Sequence, residues 1–165
     1  MSTSLLYHAF GIRGYRQVAT TFQEGGVSFR IAKDIEDCRC SACGSAHVAS
    51  RGQVERHFRG VPIGHRPVTV ILPIPRVWCL NCGVIRQVAV DFAEPRRSYT
   101  KAFARYALEL SRLMTIQDVA HHLGVSWDLI KEIHKQDLAR RFGRPKLKHL
   151  RQLAIDEIAV GRRHR

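Results

Sequence analysis

The spacing of apolar residues divides the chain into a first part typical of β-strands and a second part typical of helices. Four segments of the first part are rich in β-branched and aromatic residues and are predicted as strands: 15–23, 27–33, 48–58 and 68–72. A turn at 24–26 joins the first two strands, and a turn at 62–64 joins the second two. The pattern therefore predicts a sheet in which the first pair of strands extends the second.

From Tyr99 onward, apolar residues recur every three or four positions, which predicts an amphipathic helix. The buried face of this helix is expected at Phe103, Tyr106, Ala107, Leu110, Leu113 and Met114. Pro95 and the basic pair Arg96-Arg97 precede the helix and form a connector to the strand-rich part.

Two shorter helices are predicted in the segment TIQDVAHHLGVSWDLIKEIHKQDL. Thr115 can cap the first helix, Gly124 can end it, and Ser126 can cap the second. Their buried positions are expected at Ile116, Val119, Ala120, Leu123, Ile130, Ile133 and Leu138. A close crossing of two short helices is typical of a helix-turn-helix, whose second helix enters the major groove of DNA. A helical hairpin within an ordinary core is the alternative.

The second of these helices carries the residues expected to meet DNA. Its exposed positions are predicted at Ser126, Trp127, Asp128, Lys131, Glu132 and Lys135. Residues of the first turn would face base edges, and the two lysines would reach bases or phosphates. The two acids repel phosphate, which argues against a purely nonspecific clamp.

A basic tract follows this helix. Its charged residues are Arg140, Arg141, Arg144, Lys146, Lys148 and Arg151. Gly143 and Pro145 interrupt the tract, so its composition indicates a linker, and its charge suits contact with the DNA backbone or minor groove. A solvated linker without contact to DNA is the alternative.

Together these patterns predict an α+β fold. They indicate a β-rich domain at 1–94, a helical DNA-binding domain at 95–139 and a basic linker at 140–152. A last apolar stretch, LAIDEIAV at 153–160, has strand character and contains the acidic pair Asp156-Glu157.

The net charge supports a polyanionic partner. The chain has 27 Lys and Arg against 14 Asp and Glu, a formal net charge of +13 and a sequence pI of about 10.3. A small protein this basic is expected to bind nucleic acid, and double-stranded DNA is favoured. A merely basic surface or association with ribosomes is the alternative. Neither a secretory signal nor a membrane span is visible, which favours a cytoplasmic, nucleoid-associated protein.

The five cysteines are Cys38, Cys40, Cys43, Cys79 and Cys82. Disulfides are rare inside cells, and the segments CSACG and CLNCG each place glycine directly after a C-x-x-C pair. Two such pairs predict a closed structural zinc site with four thiolate ligands, Cys40, Cys43, Cys79 and Cys82. Cys38 could replace Cys40, although the spacing of Cys40 fits better, and redox-active dithiols are the alternative chemistry. His121 and His122 are expected to be exposed polar residues.

In this order, the motifs resemble the N-terminal part of bacterial insertion-sequence transposases of the ISL3 family. The resemblance rests on CSACG, CLNCG, the Arg97-Ser98-Tyr99-Thr100 segment, TIQDVAHHLGVSW and LAIDEIAV, and covers residues from about 5 to 160. It implies sequence-specific binding to transposon terminal repeats, with zinc as the structural metal.

The resemblance also implies that residues 153–165 begin a ribonuclease-H-like catalytic domain. Asp156 would then be the first of three acids that hold two Mg²⁺ ions for phosphodiester chemistry. The family pattern continues with two further acids, whereas this sequence continues with GRRHR. The expectation is therefore a truncated, catalytically incomplete protein, in which the strand at 153–160 packs poorly.

Two other hypotheses remain open. The same helix-turn-helix could serve a transcriptional regulator derived from a transposase, and such a regulator would act most simply as a homodimer. The sequence could instead be part of a longer, active enzyme. Association with a full-length transposase is a further possible partnership of the truncated form.

Overall fold

The computed structural model describes residues 5–23, 25–143, 148, 151 and 152. A short helix precedes a five-stranded sheet, and three helices follow the sheet. The elements in chain order are α1 Leu5–Phe10, β1 Arg16–Gln23, β2 Gly26–Ala32, a 3₁₀ turn Ile35–Asp37, β3 Val48–Ile63, β4 Arg66–Cys79, β5 Ile85–Gln87, α2 Lys101–Leu110, α3 Ile116–Leu123 and α4 Trp127–Phe142.

The strand order across the sheet is β1-β2-β4-β3, and β5 pairs with the far end of β4. β1 and β2 form an antiparallel hairpin, as do β3 and β4, whereas β2 pairs with β4 in parallel. The first hairpin therefore extends the second, as the sequence pattern predicted.

β4 is longer than predicted, because it continues through Pro73 and Pro75 to Cys79. Proline lacks the N–H that a strand donates to its neighbour, and for this reason the predicted strand ended at Leu72. β2 pairs with residues 68–71 and β5 with residues 76–78, so both prolines lie where β3 is the paired neighbour. On the other side of β4, no strand pairs with Pro73 or Pro75, although the Pro75 carbonyl accepts a hydrogen bond from the Val88 N–H at 2.9 Å. The missing donors are therefore tolerated.

The main core lies on one face of β2 and β4, where every second residue is buried. α1 covers this face with Leu6 and Phe10, and its six residues were too few to show a helical period. Phe92 packs edge-on against Phe58, with ring centroids 5.2 Å apart. The buried residues of this core are Leu6, Phe10, Ile12, Val27, Phe29, Ile31, Phe58, Val68, Val70, Leu72, Ile74, Phe92 and Ala93.

The buried side of β4 changes between Ile74 and Val77. Ile74 lies over the main core, whereas Val77 and Cys79 are buried on the opposite side of the strand. Val77 packs there with Cys38 and Val88 in a second, smaller core. This small core supports the end of the β3-β4 hairpin that carries the cysteines.

Capping side chains define the helical part. The hydroxyl groups of Thr100, Thr115 and Ser126 each accept a hydrogen bond from the backbone N–H three residues later. Gly124 ends α3 with a φ of 60°, a left-handed conformation that glycine adopts without strain. The shared core of the three helices consists of Tyr99, Phe103, Ala107, Val119, Ala120, Leu123, Ile130 and Ile133.

The first predicted helix is shorter than its apolar pattern indicated. α2 ends at Leu110, and the Ser111 hydroxyl donates to the Ala107 carbonyl at 2.8 Å, a bond that competes with continued helix. Leu113 and Met114 were predicted on its buried face, but they lie beyond the helix and are 89% and 36% exposed. That part of the prediction was wrong.

α4 runs to Phe142, so Arg140 and Arg141 lie in its last turn. Leu138 was predicted to be buried, but it is 54% exposed. It follows Ile133 by five residues, which turns it about 140° around the helix from that buried position.

The α+β prediction is confirmed for the sheet with its cysteine cluster and for the helices after it. The predicted strand at 153–160, together with the whole segment 153–165, lies outside the described residues. In the described part of the chain, no helix has both the length and the apolar character needed to cross a membrane.

Candidate metal centre and nucleic-acid interface

The first C-x-x-C pair lies in a tight loop that two backbone hydrogen bonds close. The Gly44 N–H donates to the Cys40 carbonyl, and the Cys40 N–H donates to the Ser45 carbonyl, each at 2.9 Å. The Ala42 N–H also points at the Cys40 sulfur, at 3.4 Å. Gly44 has a φ of 74°, which explains why glycine follows the pair.

The second pair repeats this geometry at the end of β4, which lies beside the start of β3. The Gly83 N–H donates to the Cys79 carbonyl, and the Cys79 N–H donates to the Val84 carbonyl, each at 2.9 Å. The Leu80 N–H donates to the His47 carbonyl at 2.9 Å and ties the two loops together. β3 and β4 therefore bring the loops side by side.

All four sulfur atoms of the two loops lie within 4.8 Å of one another. The sulfurs of Cys40 and Cys82 are 3.7 Å apart, and those of Cys43 and Cys79 are 3.5 Å apart. With Zn–S bonds of about 2.3 Å, tetrahedral coordination requires sulfurs about 3.8 Å apart. The spacing and the donor type fit a zinc ion, and four protein ligands would leave no open position on the metal.

Backbone N–H groups stabilise thiolates in these loops. The Cys82 N–H lowers the pKa of Cys79 to about 6, and the Cys43 N–H lowers the pKa of Cys40. The Ser45 N–H acts in the same direction on Cys43, but hydrogen bonds with the neighbouring sulfurs outweigh it and raise that pKa to about 12. Thiolate is the form that binds metal, so the loops favour the binding form at two of the four positions.

Cys38 lies apart from this cluster. It is fully buried in the small core, and its thiol donates to the Asp34 carbonyl at 3.4 Å. Burial raises its pKa, so it is a neutral packing residue at physiological pH. His121 and His122 are exposed and do not belong to the cluster.

The outer side of α4 carries the residues predicted to meet DNA. Five of them are exposed: Ser126, Trp127, Asp128, Lys131 and Lys135. The Lys131 ammonium lies 4.6 Å from the centroid of the Trp127 ring, one helical turn away. An aromatic plane and a cation thus lie together on the first two turns of the helix.

Glu132 is half-buried, so its predicted exposure on the DNA-facing side was wrong. Gln136 donates to its carboxylate at 3.0 Å and lowers its pKa, and Arg97 pairs with the same oxygen at 2.9 Å. The Arg97 carbonyl in turn accepts a hydrogen bond from Arg56 of β3 at 3.0 Å. Glu132 therefore links α4 to β3 through Arg97.

Arg59 of β3 is a second fastening point. Its guanidinium donates to the Leu123 carbonyl at 2.5 Å, at the end of α3 and directly before the helix-turn-helix glycine. Its backbone N–H donates to the Ser98 carbonyl, and its carbonyl accepts from the Thr100 N–H. No sequence pattern distinguished Arg59 from the many other arginines, because its role depends on a helix 64 positions further along the chain.

The basic tract is described only in part. Arg140 and Arg141 are exposed on α4, and both pair with Asp137, at 2.6 and 2.8 Å. Lys148 is exposed. Arg144, Lys146 and Asp156 lie outside the described residues.

The sheet with its four-cysteine cluster and the capped helices after it define a zinc-ribbon and helix-turn-helix protein. Residues 36–82 match the zinc-finger of transposase IS204/IS1001/IS1096/IS1165, and residues 88–137 match the helix-turn-helix domain of transposase family ISL3. The chain therefore carries the zinc ribbon and helix-turn-helix of ISL3-family transposases, which confirms the resemblance seen in its motifs. The helix-turn-helix match implies DNA binding, and the ribbon with its four cysteines implies structural zinc.

A curated relative supports this assignment. The transposase for insertion sequence element IS1001 from Bordetella parapertussis is 26% identical over 126 residues, which cover 76% of this chain. The match spans 31% of the relative's length. No solved structure matches the chain.

Proposed function

We propose that the chain binds the terminal repeats of an insertion sequence in a sequence-specific manner, with α4 as the recognition helix. The observation that carries this proposal is the crossing of α3 and α4 at Gly124, which leaves one side of α4 exposed. Ser126, Trp127 and Asp128 occupy the first turn, the part of a recognition helix that contacts base edges. The setting is proposed to be the bacterial cytoplasm, where the chain associates with DNA.

The charges on α4 support two kinds of contact. Within the described residues, no acid pairs with Lys131 or Lys135, so both ammonium groups are available to phosphates or to guanine acceptors. Asp137 partly neutralises the charges of Arg140 and Arg141, so their electrostatic attraction to phosphate is weaker than that of the two lysines. Arg140 and Arg141 are proposed to contact phosphates of the DNA backbone, together with the remaining predicted residues Arg144, Lys146 and Lys148.

Zinc is proposed to be held by Cys40, Cys43, Cys79 and Cys82. The close sulfur spacing and the backbone N–H groups that stabilise thiolates support this assignment. A closed thiolate site supplies folding energy to the ribbon and does not take part in catalysis.

A binding assay tests the central proposal. The zinc-loaded chain is titrated into labelled duplexes that carry either the ends of a matching element or the same bases in shuffled order. At about 0.15 M salt, the terminal-repeat duplex should bind at least about 1000-fold more tightly, the lower end of the range for specific recognition. Equal affinities would contradict the proposal, and preferential binding of a palindromic promoter site by a dimer would favour a regulator.

We further propose that this chain binds DNA without cleaving it. Two-metal phosphodiester cleavage needs several carboxylates around the ions, and both family matches fall on the zinc-finger and helix-turn-helix domains. Incubation with Mg²⁺ and terminal-repeat DNA should leave both strands intact. Strand breaks at the repeat ends would show that the chain is catalytic.

A further inference from the structure

The side of β4 that covers the main core continues past Ile74 to Arg76 and Trp78. Because the buried side changes there, these two residues lie opposite Val77 and Cys79. Arg76 is exposed and Trp78 is half-buried. The zinc end of the hairpin therefore has one side packed behind the cysteines and one side turned outward.

Cross-strand pairing adds further residues to this outward side. Gln87 of β5 lies opposite Arg76, and Ile85, which is 50% exposed, lies opposite Trp78. From β3, the Arg51 guanidinium lies over the Trp78 ring, 5.1 Å from its centroid. The ribbon face is defined as Arg51, Arg76, Trp78, Ile85 and Gln87.

The position of Arg51 depends on an irregularity in β3. The register shifts between Ser50 and Gln53. Gly52 has a φ of 89°, a conformation that residues other than glycine rarely adopt. The bulge redirects the chain at the point where Arg51 crosses Trp78. An arginine stacked on an aromatic ring keeps its outer N–H groups free for a further partner.

The charges of the ribbon face are not neutralised. Elsewhere on the sheet, Arg16 pairs with Asp34 and Arg30 pairs with Glu55. Among the described residues, by contrast, no acid pairs with Arg51 or Arg76. Two uncompensated guanidinium groups around a flat aromatic surface are complementary to a phosphate backbone.

We propose that the ribbon face is a second DNA-contact surface, which binds phosphates of the same duplex that α4 reads. This inference rests on the proposed function and extends it to the zinc ribbon. β3 connects the two contacts, since Arg59 holds the helix-turn-helix and Arg51 lies eight residues earlier on the same strand. At about 3.3 Å per residue, Arg51 and Arg59 are about 25 Å apart along β3, a distance that corresponds to up to about 7 base pairs of duplex.

The test uses the full, zinc-loaded chain and two charge-matched double variants. Arg51→Ala/Arg76→Ala removes the ribbon-face cations, and Arg16→Ala/Arg66→Ala removes two exposed arginines elsewhere on the sheet. Zinc content and melting temperature confirm that each variant is folded. The slope of log affinity against log salt is measured on terminal-repeat DNA, together with a hydroxyl-radical footprint.

The ribbon-face variant should lower the salt slope by about 1.8, since each lost phosphate contact accounts for about 0.9. Its footprint should shorten on one side by up to about 7 base pairs, while protection at the bases read by α4 persists. The control variant should keep both the slope and the footprint of the parent. An unchanged slope and footprint for the ribbon-face variant would overturn the inference.

Fluorescence gives a second readout. The chain has two tryptophans, so Trp127→Phe leaves Trp78 as the single indole emitter. Saturating DNA should shift or quench the Trp78 emission, and an unchanged spectrum at saturation would contradict the inference. The two proposals fail in different ways. If the proposed function is wrong, the parent chain shows no preference for terminal repeats. If only the ribbon-face inference is wrong, the parent chain keeps that preference and the ribbon-face variant behaves like the parent.

Discussion

At the residue scale, the two glycines after the C-x-x-C pairs and the glycine of the helix-turn-helix do the same physical work. Gly44, Gly83 and Gly124 all have φ between 60° and 74°, where a side chain would be strained. Each glycine lets a tight turn place the following residues where the site needs them.

Replacing Gly124 by alanine should destabilise the chain through backbone strain alone. A Cβ there would lie 3.8 Å from the Arg59 guanidinium, an ordinary contact, so no clash adds to the cost. The left-handed conformation costs alanine about 1–2 kcal/mol, which should lower the melting temperature by several degrees. Gly124→Asn is the matched control and should cost less, because asparagine tolerates this conformation better. Equal losses for the two variants would contradict the strain argument.

The cysteines make a second prediction at this scale. Cys79→Ser should abolish zinc binding and unfold the ribbon, since metal binding at such sites is worth about 10–16 kcal/mol of folding free energy. Cys38→Ala is the control, because Cys38 is buried outside the cluster. Metal analysis and circular dichroism should show about one zinc per chain in the control and none in Cys79→Ser. Retained zinc in Cys79→Ser would exclude Cys79 as a ligand.

At the element scale, β3 links the ribbon to the helix-turn-helix through Arg56 and Arg59. Arg59 lies at the carbonyl end of α3, where a positive charge also interacts favourably with the helix dipole. β3 therefore helps to set the position of α3 and α4 relative to the sheet.

Arg59→Met should test that link. It keeps the apolar stem but leaves the Leu123 carbonyl without this donor, at a cost of about 1–3 kcal/mol. Chemical denaturation measures the loss, and Arg66→Met, at an exposed position near the hairpin turn, serves as the control. If the two variants were equally stable, the Arg59 contact would not support the helix-turn-helix.

Local signals predicted most of the elements but not their junctions. Thr115, Gly124 and Ser126 determine α3 and the start of α4 by contacts within a few residues, so the sequence pattern sufficed. Leu138 and Glu132 were misplaced, because their exposure depends on which side of α4 packs against α2 and α3 and on the distant partner Arg97. The contacts of Arg59 and the stacking of Arg51 on Trp78 join residues distant in sequence, which a single sequence does not show.

At the scale of the whole molecule, the basic residues behind the net charge of +13 differ in whether an acid pairs with them. Several arginines form ion pairs with acids of the same chain. Among the described residues, by contrast, no acid forms an ion pair with Lys131 or Lys135 on α4 or with the arginines of the ribbon face. The long-range field favours any nucleic acid, and these unpaired cations decide how the duplex is held.

Lys131→Ala should weaken binding to terminal-repeat DNA. If Lys131 contacts a phosphate, the salt slope should fall by about 0.9 and the loss should be similar on shuffled DNA. If it contacts a base, the preference for the repeat should fall by about 1–3 kcal/mol instead. Arg112→Ala, which removes an exposed arginine paired with Glu109, is the control. Unchanged affinity on both duplexes would place the DNA contact elsewhere.

The most direct test of sequence-specific recognition is the ratio of affinities for terminal-repeat and shuffled duplexes, measured with the zinc-loaded chain and again after the zinc has been removed by a chelator. We expect a ratio of at least about 1000 with zinc. Removal of zinc should eliminate the salt-dependent contribution of the ribbon face. A ratio near one for the zinc-loaded chain would contradict the assignment of this protein to the recognition of transposon ends.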